Sequence, residues 1–291
     1  MASFSEQARM KELFNKMTLG VVRSLENRPG VTEVRLLDRK PAAKSIIDTW
    51  EQSNMCILPQ DIRSFFLTSN GLLIQWCVKF GGNMFPLGKM EINSVAGLIP
   101  LTKSQTPADD NPSLLDVDSL TDEEDEQGHV KPHFDNRCKV FEVDPCDGSG
   151  KVCLVYKHIR AGVTTSQPEV WFLDRSLEWS FLANNFSDYF RMMITHLGLP
   201  LWQYIFTSTG ISPETKQWFN LYAPMRLAID TEFSTICDEI SSGEGNPLNK
   251  LDINRLFKGK VDKSRGRPPQ AKKPQGTRTS HTRTGQRGVT R

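Results

Sequence analysis

A chain of 291 residues, 38% hydrophobic and carrying six tryptophans, can bury one sizeable core; its length permits one or two domains, of which one is expected. No stretch approaches the roughly twenty apolar residues that cross a bilayer, and Ser3, Glu6 and Gln7 stand where a secretory signal would carry an apolar run, so a soluble intracellular protein is expected. The net charge of +2 divides into +10 over Lys258–Arg291, −9 over Ser104–Val130 and about +1 elsewhere, the pattern of a nearly neutral globule with an acidic insert and a basic tail.

Ser3 and Glu6 have capping-box spacing, and Met10, Phe14, Met17, Val21 and Leu25 follow at helical intervals until Asn27-Arg28-Pro29-Gly30 breaks the pattern. That predicts an N-terminal helix. Ala43, Ile46, Ile47 and Trp50 repeat the helical period. In the run Leu58 to Trp76, Pro59 suits the first helical position, Ile62, Phe65 and Phe66 share a face, and Asn70-Gly71 is expected to close the helix. From Leu72 the period becomes two, with Leu72, Ile74, Trp76 and Val78 on one side of a strand.

Strands are predicted near 72–79, 83–87 and 97–101, and beyond the acidic insert at 137–143, 151–159 and 169–174. Asp144 to Gly150 reads as a hairpin loop, which implies antiparallel pairing. Leu182, Phe186, Phe190, Met193 and Leu197 predict one helix face, stopped by Gly198 and Pro200, and Ser212-Pro213-Glu214 opens another helix through Trp218, Phe219 and Leu221. Helices at both ends of a run of strands define an α+β fold, mainly antiparallel sheet with flanking helices, over 3–222.

Three segments stand apart from that domain. The acidic insert at 104–136 is expected to be disordered, with Leu114, Leu115, Val117 and Leu120 able to support a transient helix. A C-terminal extension at 223–257 holds Leu248, Leu251, Leu256 and Phe257, placed on a short amphipathic helix that suits a partner's groove. From 258 to 291 there is no aromatic residue, and only Val261, Ala271 and Val289 are modestly apolar, so the basic tail is expected to be disordered.

Motifs for chemistry are mostly absent. Gly82 to Gly88-Lys89-Met90 has a spacer one residue too long for a phosphate loop, and Met90 cannot ligate magnesium. Gly148-Ser149-Gly150 has Cys153 where a dinucleotide fingerprint needs its third glycine. His129, His133, Cys138 and Cys146 could supply a tetrahedral zinc, but their spacing lacks the short pairs of a finger or ribbon. The six cysteines, Cys56, Cys77, Cys138, Cys146, Cys153 and Cys237, read as free thiols. His196, near a helix end, suits the terminal carbonyls, and Asp122 to Glu126 is a solvated acidic run without the setting that parts catalytic pKa values. No catalytic residue, cofactor or metal is expected.

Binding features remain. Arg265-Gly266-Arg267-Pro268 resembles an AT-hook core, although Ser264 stands where such hooks usually have proline. Arg265, Arg267, Lys272 and Lys273 are candidate contacts to a polyanion. Beyond the helix stop, Leu201, Trp202 and Tyr204 are candidate docking residues, with core burial as the plainer alternative.

Leu58-Pro59, Phe65-Phe66, Asn70-Gly71, Trp76, Gly97-Leu98, Phe172-Leu173-Asp174 and Leu182-Ala183 with Phe186 resemble the SUKH superfamily, which includes the fungal Smi/Knr regulators, over about residues 40 to 200. The wider pattern, with "FNKMTLGVV", "GVTEVRLLDRKPA" and "HLGLPLWQYIFTSTGISPETKQWFNLYAP", resembles the tubulin polyglutamylase complex subunit 2 family. The resemblance implies an α+β interaction module and a non-catalytic scaffold subunit. Its implied partners are a tubulin tyrosine ligase-like catalytic subunit, other polyglutamylase subunits and tubulin or microtubules, and its implied setting is the cytoplasm and cytoskeleton, including the centrosome region. The alternative is a nuclear DNA-associated adaptor using the AT-hook-like tail; neither reading involves a membrane.

Overall fold

The structure is a computed structural model and describes residues 2–37, 39–101, 114, 118, 121–125, 127–159 and 167–241. Helix α1 (Ala2–Glu26) follows the N-terminal periodicity and buries Phe14, Val21 and Leu25. The ring of Phe14 meets Phe65 edge-on at 5.5 Å and Phe190 at 5.0 Å, so α1 is seated on α3 (Gln60–Phe66) and α4 (Phe186–Thr195). Helix α2 (Lys44–Asn54) buries Ile47 and Trp50 and leaves Ile46 exposed. Arg63 of α3 ties the pair by donating to Glu51 at 2.7 Å and Asp48 at 2.5 Å.

The first sheet has the order β1 (Val31–Leu36), β2 (Leu72–Phe80), β3 (Asn83–Ile92), all antiparallel. Leu72, Ile74, Trp76 and Val78 are buried as the period of two requires. The second sheet is antiparallel in the order β4 (Lys139–Asp144), β5 (Gly150–Tyr156), β6 (Glu169–Asp174), β7 (Trp179–Ala183). The Asn93 N–H donates to Val143 O at 2.8 Å and joins the two sheets.

Alternation along β5 explains the layering. Val152, Leu154 and Tyr156 enter the main core with α2, α3 and α4, while Cys153 and Val155 enter a smaller core with Phe134, Val140, Trp171, Leu173 and Trp179. The second sheet is therefore covered on both faces. Helices α5 (Pro213–Tyr222) and α6 (Pro224–Ser241) follow, and Ser212 caps α5 by accepting the Thr215 N–H.

Several expectations are corrected. Pro59 is the cap of α3 rather than its first helical residue, and α3 ends at Phe66. Gly71, at φ +100, serves the entry to β2 instead, where a Cβ would lie 2.7 Å from Ile92 O. β1 escaped the period of two because a bulge with Glu33 at φ 49 interrupts its register between Thr32 and Arg35. The strand expected at 97–101 is a 3-10 turn at Val95–Gly97 followed by a single bridge from Pro100 to Phe141. Leu182 belongs to β7, and α4 starts only after Asn185, whose side chain accepts the Asp188 N–H at 2.9 Å.

Disorder throughout 104–136 does not hold for the second half of that insert. Glu124 bridges to Val130, His133 lies 3.1 Å from Asp118 and 2.9 Å from Asp122, and the His129 ring stacks on Phe181 at 3.9 Å. Phe134 is buried against Trp179. Basic groups that follow the acidic run neutralise part of it, and these aromatics cover the outer face of the second sheet. The short helix proposed for Leu248, Leu251, Leu256 and Phe257, and the tail at 258–291, lie outside the described residues.

Candidate functional site

The segment after α4 builds one wall of a cleft whose other walls are β3 and the β4–β5 hairpin. Leu197 and Gly198 turn the chain with φ 58 and 59, and Leu201 repeats that left-handed conformation at φ 56. Gly198 is required for contact as well as conformation: its carbonyl accepts the Lys89 N–H at 2.8 Å, and a Cβ there would lie 2.3 Å from Lys89 O. The chain is thereby clamped on β3. Trp202 then turns inward, is 2% exposed and stacks on His196 at 4.7 Å.

Burial removes Trp202 from the candidate docking set, because its ring is part of the main core. Tyr204 is half-buried and its hydroxyl donates to Ser149 O at 2.8 Å, while Gln203 donates to the Cys146 thiol at 3.2 Å. These bonds fasten the segment to the hairpin. Leu201 is half-buried on the cleft wall.

Asp144 lies at the base of the cleft. Its carboxylate accepts the Cys146 N–H at 2.8 Å and the Tyr189 hydroxyl at 2.9 Å, and burial pushes its pKa up to about 6. Burial likewise raises the Cys146 thiol and the Tyr189 phenol well above their ordinary values, so both stay protonated. At the rim, Lys89 bridges Glu91 and Asp147. No thiolate nucleophile paired with a free base results; the cleft is a hydrogen-bonded joint.

A second buried polar centre links α4 to α6. His196 Nδ1 faces Met192 O at 2.6 Å, as a residue at a helix end should, and Nε2 faces Asp230 at 2.9 Å. Two acceptors favour an imidazolium, but Arg226 donates to both oxygens of Asp230 and weakens its pull on the ring. Burial then dominates and lowers His196 to about 4, leaving it neutral at pH 7.

The possible zinc set is dispersed. The His133 N–H contacts the Cys138 thiol at 3.4 Å, whereas His129 stacks on Phe181 and Cys146 lies in the hairpin against Gln203. Among the described residues, no group of three or more His, Cys, Asp or Glu side chains is placed to hold a metal ion, and no helix is long and apolar enough to cross a membrane. Leu248, Leu251, Leu256, Phe257, Arg265, Arg267, Lys272 and Lys273 lie outside the described residues. The sequence marks Asp144 only as the start of a hairpin loop and does not single out Asp230; an acid closing an apolar strand before proline is the available signal for the buried role of the first.

Two antiparallel sheets seated on α1, α3 and α4 describe a SUKH-type α+β module, and the SMI1 / KNR4 family (SUKH-1) matches residues 41–192. The likeness continues beyond that region. A Mus musculus protein named Tubulin polyglutamylase complex subunit 2 is 45% identical over 271 residues, covering 91% of this chain and 88% of its own length. Its Homo sapiens counterpart is 43% identical over 251 residues, covering 86% and 81%. The chain belongs to the tubulin polyglutamylase complex subunit 2 family.

Proposed function

We propose that this protein is a non-catalytic scaffold subunit of a tubulin polyglutamylase complex, the enzyme assembly that adds glutamate chains to tubulin tails. The observation that carries this reading is the extent of the likeness: 45% identity over 91% of the chain reaches well beyond the SUKH-type region, through α5 and α6. In this reading a tubulin tyrosine ligase-like subunit performs the chemistry, and the complex works in the cytoplasm on microtubules and near the centrosome. Arg265, Arg267, Lys272 and Lys273 attract the acidic surface of the microtubule. The buried joint at Asp144 supports the non-catalytic role, since its acid, thiol and phenol bond to one another or to the fold. The DNA-associated alternative has no relative in its favour.

The test is assembly with and without chemistry. The chain should co-purify stoichiometrically with the ligase-like subunit on co-expression, and glutamylation by that complex should fall when the chain is omitted. Calorimetric titration of the isolated chain with Mg-ATP should be flat. Stoichiometric nucleotide binding, or tubulin glutamylation by the chain alone, would overturn the reading.

A further inference from the structure

Helix α6 changes its apolar face part-way along. Ala223, just before it, and Leu227 are buried in the main core, Asp230 is buried against His196 and Arg226, and the helix packs on α5. Positions 223, 227 and 230 share one helical face, and that face continues through Ser234, Cys237 and Ser241, so beyond Leu227 it receives no large aliphatic or aromatic residue.

The apolar residues continue on another face. Met225 is 74% exposed and Ile229 48% exposed, and Phe233, Ile236 and Ile240 follow at spacings of three and four on the same helix. At about 100° per residue these five positions fall within an arc of about 80°. From Ile229 to Ile240 the steps are those of a coiled-coil seam. Burying the body of the protein does not account for Met225 and Ile229, which stand in water.

Charge selects what covers it. Glu232 and Glu239, seven residues apart, border the stripe on one side, and from Thr231 to Ser241 the helix carries Glu232, Asp238 and Glu239 with no Lys or Arg. Two copies packed together would bring two acidic segments side by side, whereas a basic flank would pair with them.

We propose that the face of α6 formed by Met225, Ile229, Phe233, Ile236 and Ile240 docks an amphipathic helix of another subunit, one with an apolar stripe flanked by Lys and Arg. This rests on the reading of the chain as a complex subunit. The stripe supplies the desolvated contact, and Glu232 and Glu239 set register and partner choice.

The experiment has two arms, both with the full chain. In the first, two synthetic amphipathic helices with one leucine stripe, flanked by lysine or by glutamate, are titrated by fluorescence anisotropy. The lysine-flanked helix should bind about tenfold tighter, Ile229→Glu should weaken it about tenfold without lowering the thermal midpoint, and the double change Glu232→Lys, Glu239→Lys should invert the preference. In the second, Ile229→Glu should abolish co-purification with the co-expressed ligase-like complex. If the wild-type chain itself is not retained by that complex, the subunit reading fails, while the peptide arm still decides the surface. Equal binding of the two peptides, indifference to Ile229→Glu in both arms, or a wild-type homodimer in light scattering that this substitution makes monomeric would overturn the proposal.

Discussion

Asp144 shows how one residue's burial becomes a measurable pH dependence. Desolvation and the charge of Glu91 raise its pKa from 3.8 to about 6, against the pull of the Cys146 and Tyr189 hydrogen bonds. A raised folded value means that its contribution to stability is complete below the unfolded pKa and is lost as pH rises through about 6. Asp144→Asn keeps the acceptor for Cys146 and offers Tyr189 a donor. Its stability relative to wild type should therefore rise between about pH 4 and 7.5, by on the order of 3 kcal/mol. Urea midpoints across that range test this, and a difference that stays flat would mean the carboxyl ionises as it does in water. Sterics dominate at Gly88, where an added Cβ would lie 1.9 Å from Trp76 Nε1, the donor to Leu197 O at 2.9 Å. Gly88→Ala should cost about 3 kcal/mol or more through overpacking and a displaced buried donor. Gly20→Ala, with nothing within 4 Å on the exposed face of α1, should instead gain about 1 kcal/mol. Equal thermal midpoints for the two variants would refute both assignments.

At the scale of elements, the half-insert from Thr121 to Asn136 does what a covering helix does elsewhere: it takes the outer face of the second sheet out of water. Phe134 packs on Trp179 and His129 on Phe181, while Lys131 lies between Glu123 and Glu178. Trypsin should cleave slowly after Arg137 in the folded protein, the Lys131–Pro132 bond being resistant to it, and Phe134→Ala should accelerate that cleavage about tenfold by releasing the cover. Unchanged cleavage would show that the cover is held by something else. This cover was illegible in the sequence because its acids outnumber its aromatics, and composition cannot show that His133 and Arg137 will meet Asp118 and Asp122. Elements with unbroken periodicity were legible: α1, α2, α3, β2 and α5 came from spacing and turn residues alone. β1 hid behind its bulge, and β7 hid because Leu182 also satisfies the helical spacing to Phe186. The joint at Asp144 and the His196–Asp230 pair were illegible for another reason, since each depends on residues 34 or more positions apart.

On the scale of the whole molecule, charge and apolar surface are separated along the chain. The basic tail holds eleven Lys and Arg against one acid and no aromatic residue, so it has little to contribute to a desolvated interface. Exposed apolar residues lie instead on the described body, at Phe80, Met84 and Phe85 on the β2–β3 hairpin and at Leu221, Met225 and Ile229 of α5 and α6. Stable assembly is therefore expected of the body, and long-range attraction of the tail. Ten net positive charges draw the chain toward a polyanion with a strength that fades as salt shortens the screening length, from about 10 Å at 0.1 M to about 3 Å at 1 M. Deleting 258–291 should leave co-purification with the ligase-like subunit intact and reduce microtubule co-sedimentation, with the deficit largest at low salt and vanishing as salt rises. A deletion that abolishes co-purification would place assembly in the tail, and a tail that prefers A·T-rich DNA to acidic peptides at physiological salt would return the DNA-associated reading to the front.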